Sequence, residues 1–89
     1  MLKIIDFYAD WCGPCQAFKP VWDKVRADYT DNENVQFIQI NVDSDRQMAM
    51  EYAISSIPTT VVVKDGNEAE RYSGLMSEEQ FRNFINKHL

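Results

Sequence analysis

The chain has 89 residues, of which 45% are hydrophobic and 26% are charged. This length and composition are typical of one small globular domain, and we expect residues 1–89 to form that domain and to act as a monomer. Its net charge of −5 argues against nucleic-acid binding, because phosphate recognition needs clustered Lys and Arg. No apolar run approaches the roughly 20 residues of a membrane helix, and Asp6 interrupts the first apolar stretch before a signal-peptide core is complete, so we expect a cytoplasmic protein.

The first half of the chain predicts a strand, a helix and a second strand. Residues 2–9 are apolar on both alternating faces, as in a central strand covered by helices on each side. From Cys12 to about Tyr29 the apolar residues recur at intervals of three and four, which predicts a helix with Trp22 in its buried stripe. A polar turn over residues 30–34 then leads to a strand from Val35 to Val42.

The second half predicts a short helix, a hairpin and a last helix. The short helix opens at residues 43–45 and stops before Ile54. Residues 59–64 and 68–73 predict antiparallel strands, because the Asp65-Gly66 pair between them is a strong type I′ turn signal. The last helix begins at Ser77, which has capping-box spacing to Gln80. Its predicted buried stripe is Phe81, Phe84, Ile85 and Leu89.

This element order predicts an α/β fold. The pattern βαβαββα joins a right-handed βαβ unit to a β-hairpin and a final helix. The expected result is a four-stranded mixed sheet flanked by helices on both faces. The carboxyl end of the first strand, where ligands bind in open α/β sheets, is followed directly by the two cysteines of the chain.

Both cysteines lie in the segment Trp11-Cys12-Gly13-Pro14-Cys15, at the start of the first predicted helix. A helix N-terminus offers unpaired N–H groups and the positive end of the helix dipole, and both stabilise a thiolate. Only the thiolate attacks a disulfide. We therefore predict that Cys12 is a nucleophile and that Cys15, one turn later, resolves the mixed disulfide by attacking Cys12.

Other interpretations of the cysteine pair are weaker. A disulfide across so short a loop removes little entropy from the unfolded chain, so its value as a staple is small. A structural zinc site needs four ligands, and beyond the cysteines the chain offers only His88 and carboxylates, so no metal is expected. A non-catalytic binding module that retains the pair is the remaining alternative.

Over nearly its whole length the chain resembles the thioredoxin family. The matching segments are Ile5-Asp6-Phe7-Tyr8-Ala9-Asp10-Trp11-Cys12-Gly13-Pro14-Cys15, Pro20, Asn41-Val42-Asp43, Ile57-Pro58-Thr59, Lys64-Asp65-Gly66 and Gly74. The resemblance implies a thioredoxin fold and a protein-disulfide reductase that needs no bound cofactor, because the dithiol carries the electrons. It also implies disulfide-containing proteins as substrates, and a thioredoxin reductase using NADPH, or another cognate reductase, as electron donor.

Asp6 is a candidate proton acceptor for Cys15. Its carboxyl lies in an apolar strand segment, so desolvation should raise its pKa and suit it to take a proton through water. The resemblance implies the same role. The alternative is a carboxyl that reaches solvent or caps a neighbour. The family usually has a lysine nearby, and Gln39 stands at that position here.

The resemblance also implies an apolar docking face around Cys12. Its expected members are Trp11, Gly13, Pro14, Ile57, Pro58 and Gly74. X–Pro bonds in general are trans, but the resemblance implies a cis Pro58 that turns the backbone of Ile57 toward a substrate strand. For Trp11 the alternative is an ordinary packed aromatic.

Two departures from the family pattern bear on function. Thioredoxins carry a further strand and helix before the central strand, whereas this sequence starts at that strand, which implies the minimal core shared with glutaredoxins and an exposed edge at Val35–Val42. A glutathione-dependent glutaredoxin is therefore an alternative. Glutaredoxin is disfavoured because Gly13-Pro14 between the cysteines resembles thioredoxins and Gly74-Leu75 lacks the paired glycines expected near a glutathione site. The chain also lacks the His that oxidising, isomerase-type members have between the cysteines, which favours a reducing role.

Overall fold

The computed structural model describes all residues from Met1 to Leu89 and contains four strands and three helices. In chain order these are β1 (Leu2–Tyr8), α1 (Gly13–Ala27), β2 (Val35–Asn41), α2 (Arg46–Glu51), β3 (Thr59–Lys64), β4 (Asn67–Ser73) and α3 (Glu78–Asn86). The α/β class and the order βαβαββα predicted from the sequence are confirmed.

The four strands form one mixed sheet in the order β2-β1-β3-β4. β2 runs parallel to β1, while β3 is antiparallel to both β1 and β4. β1 is therefore the interior strand whose carboxyl end leads to the cysteines, and β2 lies at an edge, both as predicted.

Apolar side chains of β1 pack on both faces of the sheet. Leu2 and Ile4 lie in the core formed with α1 and α3, whereas Ile5 and Phe7 lie in a second cluster on the α2 side. The predicted helices on both faces are thus confirmed. The first core consists of Leu2, Ile4, Phe18, Trp22, Val25, Val35, Val62, Met76, Phe81, Phe84 and Ile85.

Local signals explain where the elements turn and end. Asp65 and Gly66 both have positive φ, 51° and 87°, as a type I′ turn requires, so the predicted hairpin is confirmed. The capping box of α3 is also present, because the Ser77 side chain and the Gln80 side chain each bind the backbone N–H of the other. The burial predicted for Leu89 is wrong. α3 ends at Asn86, so no further helical turn carries the Leu89 side chain back to the core, and it is exposed.

No helix of the protein is long and apolar enough to cross a membrane.

Candidate active site

The cysteine pair lies at the N-terminus of α1, where the sequence placed it. Cys12 caps the helix, and the backbone N–H of Cys15 donates a hydrogen bond of 3.2 Å to Cys12 Sγ. Pro14 fits the first turn because the missing N–H of a proline is not needed there. The two sulfurs form a disulfide, with the Cα atoms 5.2 Å apart. Cys12 is only 5% exposed, so little of its surface is open to a target.

The turn before β3 provides the neighbour of Cys12. Cys12 Sγ lies 3.9 Å from the carbonyl oxygen of Ile57. The Ile57–Pro58 peptide bond is cis, as the family resemblance implied. The backbone N–H of Gly74 donates a 2.8 Å hydrogen bond to the Pro58 carbonyl, which ties the end of β4 to this turn. Gly74 has a φ of +118°, a conformation that favours glycine.

Trp11 is the most exposed large apolar residue beside the cysteines. Its side chain is 71% exposed, so the alternative of a packed aromatic is wrong. The indole Nε1 donates a 2.8 Å hydrogen bond to Asp43 Oδ2. Gly13 and Pro14 are exposed, and Ile57 is partly exposed. The face predicted around Cys12 therefore contains open apolar surface, whereas Pro58 is buried behind it.

A shallow groove extends from Trp11 toward α2. It has a volume of about 190 Å³ and is lined by Trp11, Val42, Ala49, Ile54, Ser55, Ser56 and Ile57. Sequence reasoning did not identify Asp43, Val42, Ala49 or Ile54 as part of the site. The available signal was the position of Asn41-Val42-Asp43, because the carboxyl ends of the parallel strands β1 and β2 meet at one edge.

Asp6 is buried in β1, close to Cys15. Its side chain is 3% exposed, so the alternative of a carboxyl that reaches solvent is wrong. Gln39 Nε2 donates a hydrogen bond of 3.4 Å to Asp6 Oδ2, while Oδ1 has no partner. Burial raises the pKa of Asp6 to about 6, although the Gln39 hydrogen bond and the Lys19 charge oppose that rise. The elevated pKa predicted from the sequence is confirmed.

Asp6 and Cys15 border the same cavity. It has a volume of about 160 Å³ and is lined by Asp6, Tyr8, Asp10, Cys15, Gln16, Lys19 and Gln39. A polar cavity of this size has room for water between the carboxyl and the sulfur. Lys19 is a residue that sequence reasoning missed. Its signal was the i, i+4 spacing from Cys15, which puts both side chains on one face of α1.

The protein has no group of three or more His, Cys, Asp or Glu side chains that could hold a metal ion. The site brings together the two sulfurs, the buried carboxyl of Asp6 and the open apolar face.

Comparison with known proteins identifies the family. The thioredoxin family model matches residues 1–87. The chain belongs to the thioredoxin family. It is 41% identical over 87 residues to the thioredoxin of Chlamydia pneumoniae, an alignment that covers 98% of this chain and 82% of that protein.

Solved thioredoxins share the fold of this family member. The thioredoxin of Fasciola hepatica has a TM-score of 0.83 at 38% identity, over 99% of this chain and 81% of that one. A mutant thioredoxin from Halobacterium salinarum has a TM-score of 0.85 at 32% identity, over 98% and 74% of the two chains. The protein is thus a thiol-disulfide oxidoreductase of the thioredoxin family, a protein-disulfide reductase with dithiol–disulfide exchange at the Cys12–Cys15 pair.

Proposed function

We propose that Cys12 is the attacking nucleophile of this protein-disulfide reductase and Cys15 the resolving residue. The observation that carries the assignment is the hydrogen bond from the Cys15 backbone N–H to Cys12 Sγ at the start of α1. That donor and the helix dipole both favour negative charge on the Cys12 sulfur. Cys15 lies inside the first turn and faces the cavity it shares with Asp6, which suits it to the second step.

The proposed reaction passes two electrons from the dithiol to the target. The Cys12 thiolate attacks one sulfur of the target disulfide, forms a mixed disulfide and releases the other target sulfur as a thiolate. Cys15 then loses its proton and attacks Cys12 Sγ. This step forms the Cys12–Cys15 disulfide and releases the first target sulfur, so the target leaves as a dithiol.

Asp6 is the proposed acceptor of the Cys15 proton. A general base is most effective when its pKa is close to the working pH, and burial has brought the pKa of Asp6 to about 6. Asp6 and Cys15 line one cavity, so water can carry the proton between them. Gln39 holds one oxygen of the carboxyl in place by its hydrogen bond.

The proposed docking face consists of Trp11, Gly13, Pro14, Ile57 and Gly74, and the buried Pro58 supports it from behind and does not itself contact a target. The Ile57 carbonyl next to Cys12 Sγ offers an acceptor to an extended target segment, which could add as a short strand. The exposed Trp11 ring offers a rigid apolar surface in the groove that it lines together with Ile57. Because Cys12 itself is nearly buried, these neighbours would align a target disulfide with it.

The proposed context is that of a reductase supplied with electrons by another enzyme. We propose disulfide-containing proteins as substrates, and NADPH as the electron source through a thioredoxin reductase or another cognate reductase. The proposed location is the cytoplasm, where such systems keep thiols reduced. We further propose that residues 1–89 act as one domain, which the single sheet from Leu2 to Ser73 supports, and that this domain acts as a monomer.

Insulin reduction tests the roles of the two cysteines. With dithiothreitol as reductant, the intact protein should accelerate insulin precipitation, and Cys12→Ser should reduce the rate to that of dithiothreitol alone. Cys15→Ser keeps the nucleophile and is the matched control, because after its excess reductant is removed it should form a mixed disulfide with insulin that is stable without dithiothreitol and visible by mass spectrometry. Turnover by Cys12→Ser would overturn the assignment. A partner complex that tolerates both substitutions together would support the binding-module alternative.

The electron donor is tested separately. The oxidised protein should be reduced by NADPH and a thioredoxin reductase, measured as loss of absorbance of NADPH. Reduction only by glutathione with glutathione reductase would contradict the proposed donor and leave the cysteine roles intact.

A further inference from the structure

We propose that Thr60 is a positioning residue for Asp6: its hydroxyl donates a hydrogen bond to the carboxylate and keeps it ready to accept a proton. This inference rests on the proposed role of Asp6 in the reaction. Thr60 belongs to no part of the site considered so far, since it lines neither the Asp6 cavity nor the docking face.

Strand register places the two side chains side by side. Asp6 on β1 is directly opposite Thr60 on β3, and its partner on the other side, in β2, is Gln39. Directly opposite residues of antiparallel strands point to the same face, with Cβ atoms about 4.5–5.5 Å apart. The neighbouring pair Ile4 and Val62 confirms the face, because both lie in the core beneath α1 and α3. Gln39, Asp6 and Thr60 therefore form one polar row across three strands.

The row contains two buried oxygens without a hydrogen-bond partner in the protein, Asp6 Oδ1 and Thr60 Oγ1. Thr60 is 0% exposed, so its hydroxyl has no bulk water to bind. Each such group destabilises a folded protein by about 1–3 kcal/mol when it stays unpaired. These are the only two side-chain atoms of this kind in the chain, and they belong to opposite residues of one strand pair.

The chemistry of the two groups is complementary. An ionised carboxylate only accepts hydrogen bonds, and a threonine hydroxyl has one rotatable O–H to donate. A rotation about the Thr60 Cα–Cβ bond, or one bridging water molecule, would bring the donor to Oδ1. Gln39 already donates to Oδ2, so Thr60 would complete the coordination of the carboxylate from the other side. A donated hydrogen bond favours the charged form of Asp6 and so opposes the effect of its burial.

Other groups around Asp6 also influence its charge. In the oxidised protein, where Cys15 is held in the disulfide, the titratable side chains that share its cavity are Tyr8, Asp10 and Lys19. On the β4 side of Thr60 the opposite residue is Tyr72, and α3 contributes apolar side chains to this core. A test must therefore change the Thr60 hydroxyl and leave these groups unaltered.

The experiment measures the protonation of Asp6 directly. The NMR chemical shift of the Asp6 carboxyl carbon in the oxidised protein is recorded against pH, and the midpoint of this curve is compared between variants. Thr60→Val removes the hydroxyl and keeps the shape, and should move the midpoint upward by about one pH unit, as expected for the loss of one donor to a charged group. Thr60→Ser restores the hydroxyl and should return the midpoint to that of the unsubstituted protein. Thr60→Ala serves as a second variant without the hydroxyl and should shift the midpoint in the same direction.

An unchanged or lower midpoint in Thr60→Val and Thr60→Ala would overturn the inference, as would a serine variant that behaves like valine. The rate of mixed-disulfide resolution against pH separates this inference from the proposed function. If the midpoint moves but Asp6→Asn leaves that rate unaltered, the contact stands and the proposed role of Asp6 fails. If Asp6→Asn slows resolution but the midpoint does not move, the role of Asp6 stands and that of Thr60 fails.

Discussion

The indole Nε1 of Trp11 donates a 2.8 Å hydrogen bond to Asp43 Oδ2 and so joins the loop after β1 to the residues after β2. The ring is 71% exposed, yet this contact fixes its orientation. β1 and β2 are parallel, so their carboxyl ends meet at one edge of the sheet and bring the two residues together. A ring held in place before a target arrives loses less conformational entropy on binding.

Loss of the Asp43 carboxylate should weaken the binding of protein targets. Asp43→Ala frees the Trp11 ring, and we expect KM for insulin to rise about fivefold, the effect of a hydrogen bond of ~1 kcal/mol, with little change in kcat. Asp43→Asn retains an oxygen acceptor and is the matched control. Steady-state kinetics with insulin and with a small aromatic disulfide make the measurement. An equal loss of activity with insulin and with the small disulfide would mean that Asp43 acts on the chemistry of the cysteines.

Asp6 should destabilise the fold at neutral pH. Its pKa is raised from 3.8 to about 6 in the folded protein, so the folded state binds more protons than the unfolded chain between these values. The associated stability is fully present below about pH 4 and is lost as the pH rises through about 6, a decrease of roughly 3 kcal/mol. Asp6→Asn removes this titration.

We therefore expect Asp6→Asn to have a higher free energy of unfolding than the unsubstituted protein at pH 7, by about 2–3 kcal/mol, and a much smaller difference near pH 4. Urea unfolding of the oxidised proteins at both pH values measures the two differences. If Asp6→Asn raised the free energy of unfolding equally at both pH values, burial of the charge would not be the cause.

Gln39 should lower the pKa of Asp6. Its amide donates to Asp6 Oδ2 and favours the carboxylate. In Gln39→Leu that donor is lost, so the midpoint of Asp6 protonation should rise above 6 and the pH profile of mixed-disulfide resolution should move upward with it. Gln36→Leu on the same edge strand is the control, because successive strand positions point to opposite faces and Gln36 is paired with Lys3. Equal pH profiles of mixed-disulfide resolution in Gln39→Leu and Gln36→Leu would contradict the role of Gln39.

Local sequence patterns were sufficient for most of the fold. The two apolar faces of residues 2–9, the helical stripe containing Trp22 and the Asp65-Gly66 turn each reflect short-range rules, and all three features are present. The burial expected for Leu89 failed, because a periodic pattern does not show where packing ends a helix. The extent of the last turn depends on contacts that the pattern does not contain.

The site was only partly accessible from the sequence. The cysteine spacing, the apolar surroundings of Asp6 and the exposed Trp11 could be interpreted from neighbouring residues alone. The cis bond before Pro58 was implied by family resemblance and not by local propensity. Lys19 and Thr60 were missed, because their proximity to Asp6 arises from the packing of α1 on the sheet and from strand register.

Lys19 should help to keep Asp6 charged, and this effect should depend on salt. Its ammonium group borders the cavity and lowers the pKa of Asp6 by attraction. Lys19→Met should therefore raise the midpoint of Asp6 protonation and slow mixed-disulfide resolution near pH 6, whereas Lys19→Arg keeps the charge and should not.

Lys19 is exposed, so its electrostatic effect on Asp6 is open to screening by salt. At 1 M salt the Debye length falls to about 3 Å. The midpoints of Asp6 protonation in Lys19→Met and in the unsubstituted protein should then converge. Carboxyl titrations at 0.05 M and 1 M salt measure this difference. A midpoint shift in Lys19→Met that persists at high salt would mean that the lysine side chain acts by packing and not by charge.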